Sequence, residues 1–193
     1  AAGVVKVIRR NGPGSWSEIG FLSGSSGDNF GRSVSLSADG TVLAVGADGE
    51  SGVSGYTKIY QYSSGSDSWS PLGDVINGEV SGEKFGYSVS LSADGTILAV
   101  SAMRSHESGT ESGSTRVYQY SSGSNSWSQL GSDIKGEAAG DYSGASVSLS
   151  SDGTILAIGA PYNDGGGSDS GSTRVYQYAG GSWLQVGSDI DGD

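Results

Sequence analysis

One stretch of the chain occurs three times with few changes: Ser33-Val-Ser-Leu-Ser-Ala-Asp-Gly-Thr-Val-Leu-Ala-Val-Gly-Ala47, Ser88-Val-Ser-Leu-Ser-Ala-Asp-Gly-Thr-Ile-Leu-Ala-Val-Ser-Ala102 and Ser146-Val-Ser-Leu-Ser-Ser-Asp-Gly-Thr-Ile-Leu-Ala-Ile-Gly-Ala160. The aspartates inside the three copies lie 55 and then 58 residues apart, and four tryptophans keep a similar spacing. Repeats of this length are typical of propeller blades or a similar array of small β units. The repeat therefore predicts the fold far better than it predicts the function.

Each repeat contains four candidate strands. In the second copy these are residues 87–92, 96–100, 115–120 and 127–134. The first strand alternates, so that Val89 and Leu91 share a buried face and serines lie on the other, towards neighbouring blades. A hairpin turn follows at Asp94-Gly95, and the second strand is apolar enough to be covered on both faces. The fourth strand is interrupted by Gly131 and is expected at the outer edge. Four antiparallel strands per repeat predict an all-β propeller.

The strand pattern predicts about three and a half blades. The predicted units are residues 1–29, the last two strands of a preceding blade, and the blade repeats 30–84, 85–141 and 142–193. Propellers typically carry about 4–8 blades, so the chain is expected to be part of a seven-bladed ring. Either the rest of a longer chain or a second copy would close that ring, and the first is favoured. The first residues read as the middle of a repeat rather than a signal peptide, which predicts a processed or truncated N-terminus.

The composition disfavours several classes of partner. The chain has 193 residues, with 35 glycines, no cysteine, 21 acidic and 10 basic residues, and a formal net charge of −11. So few scattered basic residues do not form a surface for nucleic acid or for anionic lipid. Without cysteine there is no disulfide framework or thiolate zinc site. No stretch is long and apolar enough to span a bilayer, so direct membrane insertion is not expected.

The recurring pattern resembles a known family. Gly27-Asp-Asn-Phe-Gly31 and Leu43-Ala-Val-Gly-Ala47 flank the first alternating strand, and the third repeat ends in Gly159-Ala-Pro161. These motifs resemble the FG-GAP repeat, although the Phe-Gly pair becomes Ser143-Gly144 in the third copy. The resemblance implies the seven-bladed propeller found at the head of integrin α chains and in many bacterial and algal surface proteins. It also implies an extracellular or cell-surface location.

The turn between the first two strands departs from that family. Integrin-like repeats often carry a calcium loop of the type Asp-x-Asp-x-Asp-Gly there, whereas this chain has only Ser37-Ala-Asp-Gly40 and its copies. A calcium site needs six to eight oxygen ligands, several of them from carboxylates of one short loop. We therefore expect no cofactor, and the usual calcium sites of the family are expected to be absent.

The loops between the second and third strands are the candidate binding region, because they vary while the framework repeats. They are expected on the same face as the links between blades, here called the loop face, which integrin-like propellers use to meet ligands. The candidate ligand-binding residues are Asp48, Glu50, Tyr56, Arg104, His106, Glu107, Tyr162 and Asp164. The alternative is that these loops are merely solvated turns.

Two further chemistries are weighed on the same loops. Asp164 and Asp169 flank a glycine run that could hold a cation, although the spacing fits no established calcium loop. His106 is the only histidine, and an isolated exposed histidine is more often solvated than catalytic.

The residues that recur at the same position in each repeat are expected to be structural. The recurring tyrosines and tryptophans could bind sugar rings, but blade-to-blade packing explains them more simply. Asp28, Glu83 and Asp141 precede the Phe-Gly position and are expected to cap the turn between blades.

No nucleophile–base pair, phosphate loop or metal triad is visible in the sequence. The sequence therefore predicts a non-enzymatic protein-interaction or adhesion module that binds a protein or a glycan through its loop face. The alternatives are a carbohydrate-binding, lectin-like propeller, a purely structural component of a larger extracellular assembly, and an enzyme such as a polysaccharide lyase or hydrolase. An enzyme would need non-repeated polar residues that converge, which such close repetition disfavours.

Overall fold

The computed structural model describes residues 2–49 and 53–193, and these residues form strands and turns without a helix. No membrane-spanning helix is therefore found among them. The first sheet pairs β1 (Ala2–Gly12) with β2 (Ser15–Ser26). The second contains β3 (Phe30–Leu36), β4 (Val42–Ala47), β5 (Tyr56–Ser63), β6 (Ser68–Pro71) and β7 (Ile76–Asn77). The third contains β8 (Phe85–Leu91), β9 (Ile97–Ala102), β10 (Ser114–Ser121), β11 (Ser126–Gln129) and β12 (Ile134–Lys135). The fourth contains β13 (Ser146–Leu149), β14 (Ile155–Ala160), β15 (Ser172–Ala179), β16 (Ser182–Gln185) and β17 (Ile190–Asp191).

The three larger sheets have the predicted form of propeller blades. In each, four consecutive strands are antiparallel neighbours, and a short fifth strand also pairs with the third. The single fourth strand predicted over residues 127–134 is therefore wrong. Gly131 has a φ of +81°, a left-handed conformation that breaks the extended backbone. The segment consequently pairs with β10 twice, first through β11 and then through β12.

The serines of the first strands join neighbouring blades. The Ser35 hydroxyl accepts the backbone N–H of Leu91 at 2.9 Å, and the Ser90 hydroxyl accepts that of Leu149 at 2.9 Å. A short hydroxyl side chain lets two first strands approach while the backbone donors between blades remain satisfied. The predicted orientation of these serines towards the next blade is confirmed.

The hairpin turn of each repeat is stabilised by its own aspartate. Gly153 has a φ of +71°, as the predicted turn requires. The Asp152 carboxylate accepts hydrogen bonds from the Ser150 hydroxyl at 2.6 Å and from the Thr154 N–H at 3.0 Å. These hydrogen bonds, led by that of Ser150, lower the pKa of Asp152 to about 2. The carboxylate of the turn thus forms these hydrogen bonds within its own hairpin.

The recurring aromatic residues pack between blades, as predicted. Trp127 lies 5.3 Å from Tyr120, centroid to centroid, and donates its indole N–H to the Leu72 carbonyl of the preceding blade at 2.9 Å. Trp183 repeats this arrangement with Tyr178 and the Leu130 carbonyl. Trp127 and Trp183 therefore link neighbouring blades, whereas Trp16 on β2 is 59% exposed.

The hydrophobic core lies between blades. At both ends of the array, the residues at the positions equivalent to core residues are exposed. Ile76 and Ile134 are 9% and 6% exposed against the following blade, whereas Ile190, at the same position of the last blade, is 62% exposed. At the other end Val34 is 53% exposed, but its equivalent Val89 is 7% exposed. The faces at the two ends of the array therefore expose apolar residues that are buried at the interfaces between blades.

Ile134 and Ile190 occupy the same position in two blades, so they provide a matched pair of substitutions in the 193-residue chain. Ile134→Ala is expected to lower the free energy of unfolding by about 2–5 kcal/mol, because it removes buried methyl groups from a packed interface. Ile190→Ala removes the same atoms from an exposed position and is expected to change it by less than about 0.5 kcal/mol. Urea unfolding followed by tryptophan fluorescence measures both. Equal losses would mean that Ile190 is covered in solution.

Candidate functional site

The loops between second and third strands meet the links between blades at one edge of the sheets. Gly55 pairs with Phe85 and Gly113 with Ser143 in parallel bridges, so each loop end lies beside the start of the next blade. The Gly136 N–H also donates to the Gly113 carbonyl at 2.8 Å. The loop face therefore has the arrangement that the sequence predicts.

A groove of about 450 Å³ opens on this face between the second and third blades. Its lining residues are Tyr87, Met103, Arg104, Gly140, Tyr142, Ala145, Pro161, Tyr162 and Asp169. We call it the tyrosine groove. A larger hollow of about 550 Å³ lies against the bare side of the last blade, where Ile190 lines it. That hollow is a face suited to another blade, so the tyrosine groove is the better candidate for a ligand site.

The walls of the tyrosine groove come from positions that differ among the repeats. The residue just before the Phe-Gly position is Asn29, Lys84 and Tyr142 in turn. The residue just after it is Arg32, Tyr87 and Ala145 in turn. The second residue after the second strand is Gly49, Arg104 and Tyr162 in turn. The positions that differ among the repeats therefore lie together in one groove. Variable loop positions on a rigid framework commonly carry function.

Aromatic, cationic and anionic groups meet in the tyrosine groove. The Tyr162 ring is exposed and packs edge-on against Tyr142, with centroids 5.5 Å apart. The Tyr142 hydroxyl donates to a Glu111 carboxylate oxygen, and this hydrogen bond raises the pKa of Tyr142. The other Glu111 oxygen lies 3.3 Å from Arg104 Nε. Glu111 therefore holds a tyrosine and a guanidinium in fixed positions beside the exposed ring.

The backbone at the tyrosine groove is held in an uncommon conformation. Tyr142, Glu111 and Asp169 have φ values of 52°, 56° and 53°. Left-handed conformations cost non-glycine residues roughly 1 kcal/mol each and persist where the surrounding fold imposes them. Asn29 and Lys84, the equivalents of Tyr142, share this conformation. The framework consequently fixes the direction in which these side chains leave the backbone.

Only some of the predicted binding residues lie in this groove. Arg104 and Tyr162 line it, and Asp169, predicted only as a metal ligand, lines it too. Tyr87, Tyr142 and Glu111 were not predicted. The signal that identifies the first two is the comparison of equivalent repeat positions, which shows an aromatic residue where the other blades differ.

Two other predicted residues are structural. Asp48 is buried, lies 3.6 Å from Lys84 Nζ and accepts a 3.0 Å hydrogen bond from the Asn29 amide. Tyr56 donates its hydroxyl to Asp28, and burial together with that hydrogen bond raises the pKa of Tyr56. Both side chains are thereby occupied by contacts within the protein. Glu50 lies outside the described residues.

His106 and Glu107 do not line the tyrosine groove. Together with Arg116 they line a cavity of about 210 Å³.

Arg116 is 2% exposed and is surrounded by carboxylates. These are Asp133 at 2.6 Å, Glu79 at 3.3 Å, Glu107 at 3.5 Å and Glu83 at 3.7 Å. Burial alone lowers the pKa of Arg116, but the hydrogen bond and charge of Asp133 outweigh it and raise the pKa overall. We call this group the Arg116 cluster, and it fastens the loop to the preceding link.

The acidic residues before the Phe-Gly position cap the links between blades, as predicted. Asp28 accepts the N–H groups of Ser25 and Phe30 at 2.5 and 3.0 Å. Glu83 accepts the N–H of Glu79 at 2.6 Å, and Asp141 accepts that of Ala138 at 3.1 Å.

The predicted cation site at Asp164 and Asp169 stays a prediction, and the described residues supply no third ligand there. Asp164 accepts the backbone N–H of Asp169 at 2.8 Å, which uses one carboxylate oxygen inside the loop. Across the described residues, no three acidic or histidine side chains are grouped as a metal ion would require.

The comparisons with known proteins identify the repeat and the fold. The model of the FG-GAP repeat matches residues 77–118 and 135–176, which confirms the resemblance for those residues. No curated protein matches the chain in sequence. A candidate 6-phosphogluconolactonase from Bacteroides uniformis ATCC 8492 is 13% identical with a TM-score of 0.63, covering 96% of this chain and 51% of that one.

Two further solved structures are similar. A candidate 6-phosphogluconolactonase from Bacteroides fragilis NCTC 9343 is 14% identical with a TM-score of 0.60, covering 90% of this chain and 42% of that one. The periplasmic gluconolactonase PpgL from Pseudomonas aeruginosa is 17% identical with a TM-score of 0.51, covering 94% of this chain and 51% of that one. This chain thus spans about half the length of these structures.

These neighbours overturn the prediction of a non-enzymatic adhesion module. Solved propellers of this shape carry the names of lactonases, so the exclusion of an enzyme was wrong. The exclusion rested on the repetition of the framework. The tyrosine groove, however, collects positions that do not repeat, and Arg104 and Asp169 both line it.

Proposed function

Because residues 77–118 and 135–176 are FG-GAP repeats, we propose that they belong to an enzymatic propeller that hydrolyses a sugar-acid lactone in the tyrosine groove. The observation that carries this proposal is the convergence of non-repeated residues there: Arg104 and Asp169 line a groove walled by three tyrosines. The names of the structural neighbours support the choice of a lactone as substrate.

The groove offers groups suited to each part of a lactone. A polyhydroxylated ring has apolar C–H faces, which stack on aromatic side chains such as the exposed Tyr162. The ring ester carbonyl gains negative charge when water attacks it, and a fixed guanidinium such as that of Arg104 stabilises this charge. The carboxylate of Asp169 is assigned as the general base that removes a proton from the attacking water. The ring C–O bond then breaks, the ring oxygen takes the proton back from Asp169, and the product is an open-chain sugar acid.

The same proposal places the protein in an exported compartment and in a larger ring. FG-GAP repeats and a periplasmic gluconolactonase are both compatible with export. The bare outer faces at Val34 and Ile190 are suited to further blades of a longer chain. Native mass spectrometry of the full protein tests whether the further blades belong to the same chain. A ring closed by two copies of a short chain would have twice the mass of one chain.

Lactone hydrolysis by the full protein tests the proposed function. D-Glucono-δ-lactone is the first substrate, and acid release above the spontaneous rate is followed in a pH-stat. Asp169→Asn is expected to lower kcat by about 100-fold, since general base catalysis contributes roughly 10²–10⁴-fold.

Asp74→Asn is the control, because it removes an exposed carboxylate that lies outside the groove lining. It is expected to leave kcat within about 2-fold of the unaltered protein, as surface substitutions have small effects. Equal loss in both variants, or no hydrolysis above the spontaneous rate by the unaltered protein, would refute the proposal.

A further inference from the structure

The three tyrosines of the tyrosine groove form two separate aromatic walls. Tyr142 and Tyr162, from the third repeat, pack edge-on with centroids 5.5 Å apart, and we call this pair the first wall. Tyr87 lies on β8 of the second blade, and we call it the second wall. Its ring is held by the guanidinium of Arg32, whose central carbon lies 4.1 Å from the ring centroid. The two walls therefore belong to different blades.

The proposed reacting groups belong with the first wall. Glu111 accepts the Tyr142 hydroxyl and lies 3.3 Å from Arg104 Nε, so it joins Arg104 to this wall. Asp169 is on the same loop as Tyr162. A lactone ring that reacts between Arg104 and Asp169 is thus placed at the first wall, and the second wall is left for another part of the ligand.

The tyrosine groove has room for that further part beside Tyr87. Its volume of about 450 Å³ lies in the range of about 300–1,000 Å³ typical of clefts for drug-sized ligands, which are larger than a single six-carbon lactone. Arg32, Tyr87 and Ala145 occupy the same position in successive repeats. Arg32 fills the space against Tyr87 from the first repeat, whereas Ala145 carries only a methyl group and lines the groove with Tyr87. The same position is therefore filled between the first two repeats and left open between the next two.

The charges around the groove favour an uncharged ligand. Arg104 is the only basic residue among the lining residues, and the Glu111 carboxylate at 3.3 Å compensates its charge. Asp169 adds a negative charge, and the chain carries a formal net charge of −11. This field repels an anionic ligand but not a neutral sugar.

Resting on the proposed function, we propose that the substrate is the lactone at the end of an uncharged oligosaccharide. The lactone ring lies at the first wall by Arg104 and Asp169, and the next sugar ring stacks on Tyr87 in the space that Ala145 leaves open. Sugar rings present apolar C–H faces to aromatic side chains, as Tyr87 requires. Tyr87 is consequently a specificity residue and takes no part in the hydrolysis itself.

Calorimetry of the full protein with unreactive sugars tests this assignment without requiring catalysis. The probes are glucose, cellobiose and maltose, which are uncharged and share one reducing-end ring. At least one of the two disaccharides is expected to bind about 10-fold more tightly than glucose, which corresponds to one aromatic contact. The disaccharide that gains affinity identifies the linkage that the groove accepts.

Two substitutions at the second wall are expected to remove this gain and to leave glucose binding within about 2-fold. Tyr87→Ala deletes the ring, and the third repeat carries alanine at the equivalent position, so the framework tolerates the change. Ala145→Tyr fills the open space with the side chain that the second repeat carries there. A disaccharide advantage that survives both substitutions overturns the assignment, as does the lack of any advantage in the unaltered protein.

Two further variants are the controls. Tyr162→Ala is expected to weaken all three sugars about equally, because all of them place a ring at the first wall. Tyr62→Ala removes a tyrosine that also carries a stacked arginine, with the Arg9 guanidinium carbon 4.8 Å from its centroid, but that is absent from the groove lining. It is expected to leave all three affinities unchanged. If the unaltered protein hydrolyses neither D-glucono-δ-lactone nor cellobiono-δ-lactone, the proposed function fails, but the three affinities still decide the role of Tyr87.

Discussion

Phe85→Ala is expected to lower the free energy of unfolding of the 193-residue chain by about 3–5 kcal/mol, the range for truncating a buried phenylalanine. The side chain is 0% exposed and fills the interface between the first and second blades. Its ring meets Tyr118 edge-on, with centroids 6.4 Å apart, and the Arg116 guanidinium carbon lies 5.8 Å from it. The substitution therefore leaves a cavity and removes an aromatic pair at once.

Guanidinium chloride unfolding of the purified chain measures this loss. Phe21→Ala is the control, because Phe21 is 58% exposed on β2 and is expected to contribute less than about 0.5 kcal/mol. A loss below about 1 kcal/mol for Phe85→Ala would mean that the two blades do not unfold as one packed unit. Because each blade contacts its neighbours along the array, a weakened interface is expected to broaden the transition as well.

The parts of the fold that the sequence predicts are those set by local chemistry. Val89 and Leu91 are buried on one face, β9 is buried throughout, and Gly95 takes the positive φ of its turn. Alternation, continuous hydrophobicity and glycine at a turn each act within a few residues, so a single sequence reveals them. The division of the fourth strand was missed because it depends on where β10 offers free backbone groups.

The candidate site was only half predictable, for a related reason. The variable loops indicated Arg104 and Tyr162, which line the tyrosine groove, but Tyr87 and Tyr142 lie in or beside a first strand that otherwise repeats closely. Their role emerges only when the blades are placed side by side and the groove between them is formed. His106 and Glu107 occupy the same loop as Arg104 but face a different cavity, which no spacing along the chain would show.

The burial of Arg116 was also invisible in the sequence, and its removal is the second substitution with a large expected effect. Arg116→Ala is expected to lower the free energy of unfolding by about 3–5 kcal/mol, the cost of breaking a buried ion pair. Both Arg116 and Glu83 are 2% exposed, so the substitution would leave the buried Glu83 carboxylate without its cation. Chemical denaturation at pH 7 measures the loss.

Two controls separate this effect from a simple loss of surface charge. Lys135→Ala removes an exposed cation that lies 3.1 Å from Glu107, and such pairs contribute about 0–1 kcal/mol. Adding Glu83→Gln to Arg116→Ala is expected to restore part of the stability, because it removes the unpaired buried charge. A loss under about 1 kcal/mol for Arg116→Ala alone would show that water reaches the cluster.

The pH dependence gives the Arg116 cluster a second signature. Burial raises the pKa of Asp133, but the hydrogen bonds from Arg116 and Gln129 and the charge of Arg116 outweigh it, so the pKa is lowered overall. A carboxyl group with a lowered folded-state pKa contributes stability above its unfolded pKa, near about 3.9, and loses it as the pH falls through the folded value. The stability gap between the unaltered chain and Arg116→Ala is therefore expected to narrow below about pH 4. A gap that stays constant down to about pH 2 would mean that packing of the Arg116 side chain, rather than its charge, stabilises the fold.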